Sequence, residues 1–285
     1  MAELKAIGAN TARPVAPPKD RPAPEQPAPE QPAQDPAAAL RYTLFASRFD
    51  GPAPAAPRSL EGLVDSGNWG GFKTKFDKLS RPKQLEAMEK LSPPQREKLS
   101  NATRSGEVKS KAVSITLGAE LAARSTWGQG EGKATVDNFK RMYAKGRVEV
   151  SEKKVGGGWA YADPAKKGSE RGVKTDSTIY LHPTLLRSPD LLASYVAHEG
   201  THALRMKEGT RKPLFAEETD AHVAQARVWN QLSPPSKRDG AEGNYPGVSA
   251  KDFRNLRTMT EAYVNPNADA GRAAVRAQVE RWYAP

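Results

Sequence analysis

Apolar residues recur at helical spacing from Ser59 onward, alternate between residues 148 and 181, and return to helical spacing from Ser188. Leu60, Leu63 and Val64 suit a short helix. Lys83 to Leu91 and Pro94 to Leu99 read as two short helical segments separated by Pro93-Pro94, with Ser92 placed to cap the second. Residues 111–126 form a longer helical run through Ala112, Val113, Ile115, Leu117 and Leu121, ending near Gly128. Residues 134–144 give another, with Val136, Phe139 and Met142-Tyr143 on one face and Gly146 as its stop. Val148–Val150, Trp159–Tyr161 and Thr178–Leu181 then read as short strands. Helices are predicted over 189–207, 214–232, 249–264 and 269–283. A small sheet between helices, followed by a helical C-terminal half, is an α+β order.

Before Ser59 the pattern is missing. Residues 1–40 contain the short repeat Pro22-Ala-Pro-Glu-Gln-Pro27-Ala-Pro-Glu-Gln, which offers little to bury and few backbone donors. We expect a disordered Pro/Ala-rich segment over 1–57, a small helical region over 58–108 and the main domain over 109–285. The first segment reads as a solubilising tail or as a signal for secretion or injection machinery. No run approaches the roughly 18 apolar residues of a membrane span, and the N-terminus lacks the apolar stretch of a cleaved signal. The expected location is therefore the cytoplasm of the producing cell, with export by dedicated machinery as the alternative.

The net charge is +11, and nearly all the excess lies between Arg58 and Asp176. The lysines are scattered and carry no nucleic-acid signature, so no specific nucleic-acid partner is expected. Cysteine is absent, which excludes disulfides, thiolate metal sites and a cysteine nucleophile. Any transition-metal site must be built from carboxylates and the four histidines His182, His198, His202 and His222.

His198-Glu199-Gly200-Thr201-His202 is the HExxH pattern. On a helix, residues four apart share a face, so two imidazoles can reach one ion while Glu199 points beside them toward a water. The surroundings favour a helix. Ser188 suits the N-cap, Pro189 the first helical position, and Asp190 the positive end of the helix dipole. Leu191, Leu192, Tyr195, Val196, Ala203 and Leu204 supply apolar surface. Gly200 costs roughly 1 kcal/mol against alanine and would permit a close approach by another backbone. Catalytic zinc takes three protein ligands and a water. Candidates for the third are Glu217, Glu218, Asp220 and His222 on the next helix, and periodicity does not separate Glu217 from Glu218. His182 reads as a strand-end residue with a satisfied ring. Trp69, Trp127, Trp159 and Trp229 read as core.

The segment from Thr178 to Leu232 resembles the core of the zincin-like metallopeptidases of the gluzincin type. In that family an edge strand precedes the HExxH helix, and a Glu on a following helix, often in a Glu-x-x-Ala context, completes the zinc site. Glu218-Thr-Asp-Ala221 fits that context, which favours Glu218 as the third ligand beside His198 and His202. Where some relatives carry Asp after that Ala, this chain has His222. The helix sequence and the Gln225-Ala-Arg-Val-Trp229 ending are similar to metallopeptidase domains of bacterial toxins and injected effectors. The resemblance covers roughly a fifth of the chain. It implies a zincin-like α+β fold with a small, mostly antiparallel sheet, and a Zn²⁺ peptidase acting on a polypeptide substrate. In that reading Glu199 is the catalytic base and strand 178–181 the cleft wall. Tyr245, Tyr263 and His222 are candidates to stabilise the oxyanion. The alternatives are a cell-wall peptidase or amidase, and a non-catalytic binding protein in which HExxH is incidental.

Overall fold

Side-chain oxygens of Ser59, Asn68, Ser92, Ser110, Ser125 and Ser188 each accept a backbone N–H three residues on, and a helix begins after each. Such caps satisfy donors that the first turn leaves open, for about 1 kcal/mol each. The computed structural model describes residues 59–155, 159–164, 174–232 and 268–283, all within the compact unit Ala56–Pro285. The expected disorder over 1–40 and the expected helix over 249–264 lie outside the described residues, as do Tyr245 and Tyr263.

The elements are α1 (Leu60–Asp65), α2 (Trp69–Asp77), α3 (Arg81–Lys90), α4 (Pro93–Arg104), α5 (Lys111–Arg124), α6 (Thr126–Gln129) and α7 (Lys133–Ala144). Then come β1 (Val148–Val150), α8 (Glu152–Val155), β2 (Ala160–Pro164) and β3 (Ser177–Leu181). A 3₁₀ turn at Pro183–Arg187 leads into α9 (Pro189–Glu208), α10 (Leu214–Gln231) and α11 (Ala268–Tyr283). Helices dominate a small mixed sheet, an α+β architecture. No helix among the described residues is long and apolar enough to cross a membrane.

Helix α2 is absent from the sequence prediction. Gly70-Gly71 lowers its propensity, yet Phe72 and Phe76, one turn apart, stack at 5.4 Å and are buried. Tertiary burial of two rings outweighs the local cost. The run expected over 111–126 breaks at Ser125, which ends α5 and caps α6.

The sheet order is β1-β3-β2. β3 pairs parallel with β1, Val148 opposite Ile179, and antiparallel with β2, Ala162 opposite Ile179. Two expectations are thereby corrected. The sheet is mixed rather than mostly antiparallel, because the chain passes through α8 and β2 before β3 inserts beside β1. Strand 178–181 is central, with both edges paired, so it cannot take a further strand. β2 occupies the edge. Alternate residues of β3 are buried, with Ile179 and Leu181 fully so, as the two-residue period of a half-covered sheet requires.

The main core gathers α5, α7, the sheet and α10 around α9. A second core, from Leu63 to Val108, is completed by Val113 and Leu117 of α5. A third, smaller cluster joins Val223 of α10 to Val275 and Val279 of α11. Trp127 and Trp229 are buried, while Trp69 and Trp159 lie at core margins. α9 approaches α5 where Gly118 faces Leu192 and α7 where Gly200 faces Thr135. It ends at Gly209, whose φ of 70° is the left-handed cap conformation favoured by glycine.

Candidate metal centre

α9 begins as its sequence dictates. Ser188 Oγ accepts the Leu191 N–H at 3.2 Å, Pro189 opens the first turn, and Asp190 pairs with Arg104 of α4 at 2.9 Å. Fourteen of its residues are buried, among them His198, Glu199 and His202. Four-residue spacing places both imidazoles on the face turned to α10 and β2, and their Nε2 atoms stand 3.4 Å apart.

Glu218 of α10 meets this pair. Its carboxylate oxygens lie 3.7 Å from His198 Nε2 and 3.5 Å from His202 Nε2. Glu217, one residue earlier, turns to the outer nitrogen of His202, with Oε1 at 3.0 Å from Nδ1. It also accepts the Lys212 backbone N–H at 3.0 Å and faces Arg211. Burial alone would raise the Glu217 carboxyl, but the His202 hydrogen bond, the Lys212 N–H and Arg211 bring it down to about 2. An ionised carboxylate there only accepts, so His202 Nδ1 carries the hydrogen, and the neutral ring presents its lone pair at Nε2. Asp220 points elsewhere and pairs with Arg205, Lys212 and Arg272. Glu217 and Asp220 thus stand away from the point where His198, His202 and Glu218 converge.

His222, one turn after Glu218, is also close. Its ring centroid lies 4.4 Å from that of His198, and its Nδ1 faces Gln225 Oε1 at 3.0 Å. Burial, with the nearby His202 acting the same way against the Gln225 hydrogen bond, lowers the ring to about 4. Burial together with His222 and His202 likewise drives His198 well below its ordinary value. His202 behaves differently. Burial pushes it down, but Glu217, Glu199 and Glu218 hold it above the usual value.

The donors fit a cation on their own chemistry. Donors about 2.0–2.2 Å from a tetrahedral ion stand about 3.3–3.6 Å apart; the two Nε2 atoms are 3.4 Å apart, and Glu218 sets one oxygen 3.5 Å from His202 and the other 3.7 Å from His198. The buried Nδ1 of His198 has no hydrogen-bond partner. Ligand atoms of His198, Glu218 and His222 lie within 4.8 Å of one another, a group that could hold a metal ion.

Glu199 lies beside the cluster, Oε1 4.0 Å from His198 Nε2. Burial, with Glu218 adding to it, raises its carboxyl to about 7 against the opposing pull of His202 and the Ala162 backbone N–H. It opens into a cavity of about 230 Å³ lined by Ala160, Tyr161 and Ala162 of β2, by Arg211 and by Tyr283. Tyr283, at the end of α11, hydrogen-bonds Glu218, and burial beside the Glu218 and Glu199 carboxylates keeps its phenol protonated well above the ordinary value. Nothing in the local sequence marks this tyrosine, because its place depends on how α11 packs on α10. His182 accepts the Thr184 N–H at 3.2 Å and caps the 3₁₀ turn, outside the cluster. Compared with known protein families, curated proteins and solved structures, the chain matches none of them.

Proposed function

We propose that this protein is a zinc-dependent, zincin-like metallopeptidase, with His198, His202 and Glu218 as metal ligands and Glu199 as the catalytic base. One observation carries the reading. Imidazole and carboxylate donors at metal-ligand spacing stand beside the buried Glu199 carboxyl, in a cavity walled by an edge strand. Glu199, buried beside the donors and facing the cavity, is placed to serve as a general base. Zinc, when bound, acidifies a water and polarises the scissile carbonyl. Glu199 accepts the proton of the attacking water and delivers it to the leaving amine. β2, with its outer edge beside the cavity, takes an extended polypeptide by strand addition. Tyr283 holds the Glu218 carboxylate in place. The resemblance to toxin and effector peptidase domains, with the Pro/Ala-rich N-terminal segment, supports a secreted or injected effector as its setting.

Elemental analysis and cleavage of an unfolded protein substrate test this. Wild type is expected to hold about one zinc per chain, from the one such cluster of donors among the described residues, and Glu218→Ala to lose most of it. Glu199→Gln should keep the metal and lose activity by about 10²–10⁴-fold. A wild type that takes up no zinc after supplementation would leave HExxH incidental and favour a binding role.

A further inference from the structure

We propose that His222 is a fourth protein donor to this centre, so that three imidazoles and one carboxylate enclose the resting metal. The inference rests on the metal-binding part of the function proposed above and not on peptidase activity.

Two helices each present a pair of donors at four-residue spacing. His198 and His202 do so on α9, and Glu218 and His222 on α10. α9 and α10 pack against each other along this face. The ligand atoms of His198, Glu218 and His222 fall within 4.8 Å of one another. His202 Nε2 stands 3.4 Å from His198 Nε2 and 3.5 Å from Glu218 Oε1. His198 and Glu218 are thus shared by two groups of three, one completed by His202 and one by His222.

His222 is also prepared as His202 is. Metal-bound imidazoles usually give their other N–H to an acceptor, which fixes the tautomer and the ring. For His202 that acceptor is Glu217 Oε1, and for His222 it is Gln225 Oε1, each at 3.0 Å. Gln225 is buried one turn further along α10, so its amide is set by packing. The amide oxygen faces Nδ1, which leaves Nε2 of His222 as the lone-pair nitrogen. Trp282 of α11 packs against the ring at 5.4 Å, the two planes 72° apart.

The consequence is chemical. A catalytic centre keeps one position for water, whereas four protein donors close a tetrahedral one. A metal held by all four side chains would have no open tetrahedral position, so His222 would add to retention of the ion rather than to the chemistry at it.

X-ray absorption on the zinc-loaded full chain counts coordinated imidazoles directly. Three imidazoles with one oxygen donor in wild type, falling to two in His222→Gln, is the expected result. The zinc dissociation constant should rise at least about tenfold in that variant. Two imidazoles in wild type, with the variant's affinity unchanged, would overturn the fourth donor and leave the three-ligand site intact. Failure of wild type to bind zinc overturns both. If His222→Gln does not fold, the wild-type imidazole count decides alone.

Discussion

Gly200 sits inside the HExxH helix although glycine is a poor helix former, and its neighbour explains why. A methyl group there would stand 2.7 Å from Thr135 Cγ2 of α7, with the Thr135 carbonyl at 3.6 Å. The sequence suggested a close backbone approach, and the tighter contact is with a side chain. Gly200→Ala gains about 1 kcal/mol in helix propensity. Overpacking a core costs about 1–3 kcal/mol, and Thr135 is buried and stiff about χ1. The clash should win. We expect a lower melting temperature for Gly200→Ala, and recovery in Gly200→Ala/Thr135→Ser, which removes the opposing methyl. A more stable single variant would show that α7 gives way freely.

At the scale of elements, Glu120 ties three helices together. From α5 it reaches Arg124 at 2.5 Å, Lys140 of α7 at 3.0 Å and Arg96 of α4 at 4.0 Å. Glu120 and Arg96 are both buried, and Arg96 also donates to the Leu91 carbonyl. Removing Glu120 leaves the buried Arg96 guanidinium without its carboxylate, and an unpartnered buried charge costs about 3–5 kcal/mol. Glu120→Ala should lose that much in urea unfolding. Asp137→Ala, which breaks the exposed Lys133–Asp137 pair, should lose less than about 0.5 kcal/mol. Equal effects would mean that packing alone holds α4, α5 and α7 together.

For the whole molecule, α5 contributes to both large cores, so the helices over 60–108 and the residues around α9 share one element. Tyr143 of α7 adds a second link by donating its hydroxyl to Gln84 of α3 at 2.5 Å. A single cooperative thermal transition is expected by calorimetry, and two resolved transitions would show that the front helices melt separately. The same tyrosine gives an alkaline signature. Burial raises its phenol from 10.0 to about 12, against the pull of Arg81. The folded state then keeps a proton that the unfolded chain releases. The contribution to stability is complete below pH 10 and is lost as pH rises through about 12. The stability difference between wild type and Tyr143→Phe should therefore shrink across that window. A constant difference would show that the phenol does not titrate with folding.

Much of the site was legible in the chain. Ser188, Pro189 and the apolar flanks marked the start of α9, predicted over 189–207 and observed over Pro189–Glu208. Four-residue spacing put His198 and His202 on one face, and the absence of cysteine left only imidazoles and carboxylates as donors. Caps, periods and missing residue types are properties of neighbouring residues, so sequence alone determines them. The rest depended on distant partners. Glu217 and Glu218 both lie on partly apolar faces, and only the Lys212 N–H, Arg211 and the outer nitrogen of His202 draw Glu217 away. β3 is central and β2 an edge because strands far apart in the chain pair across the sheet. Helix α2 forms despite its glycines because two rings find a core. Tyr283 and Gln225 reach the site through the packing of α11 and α10. Local geometry selects which side chains share a face, whereas desolvation and the partners supplied by other elements decide which of them meet.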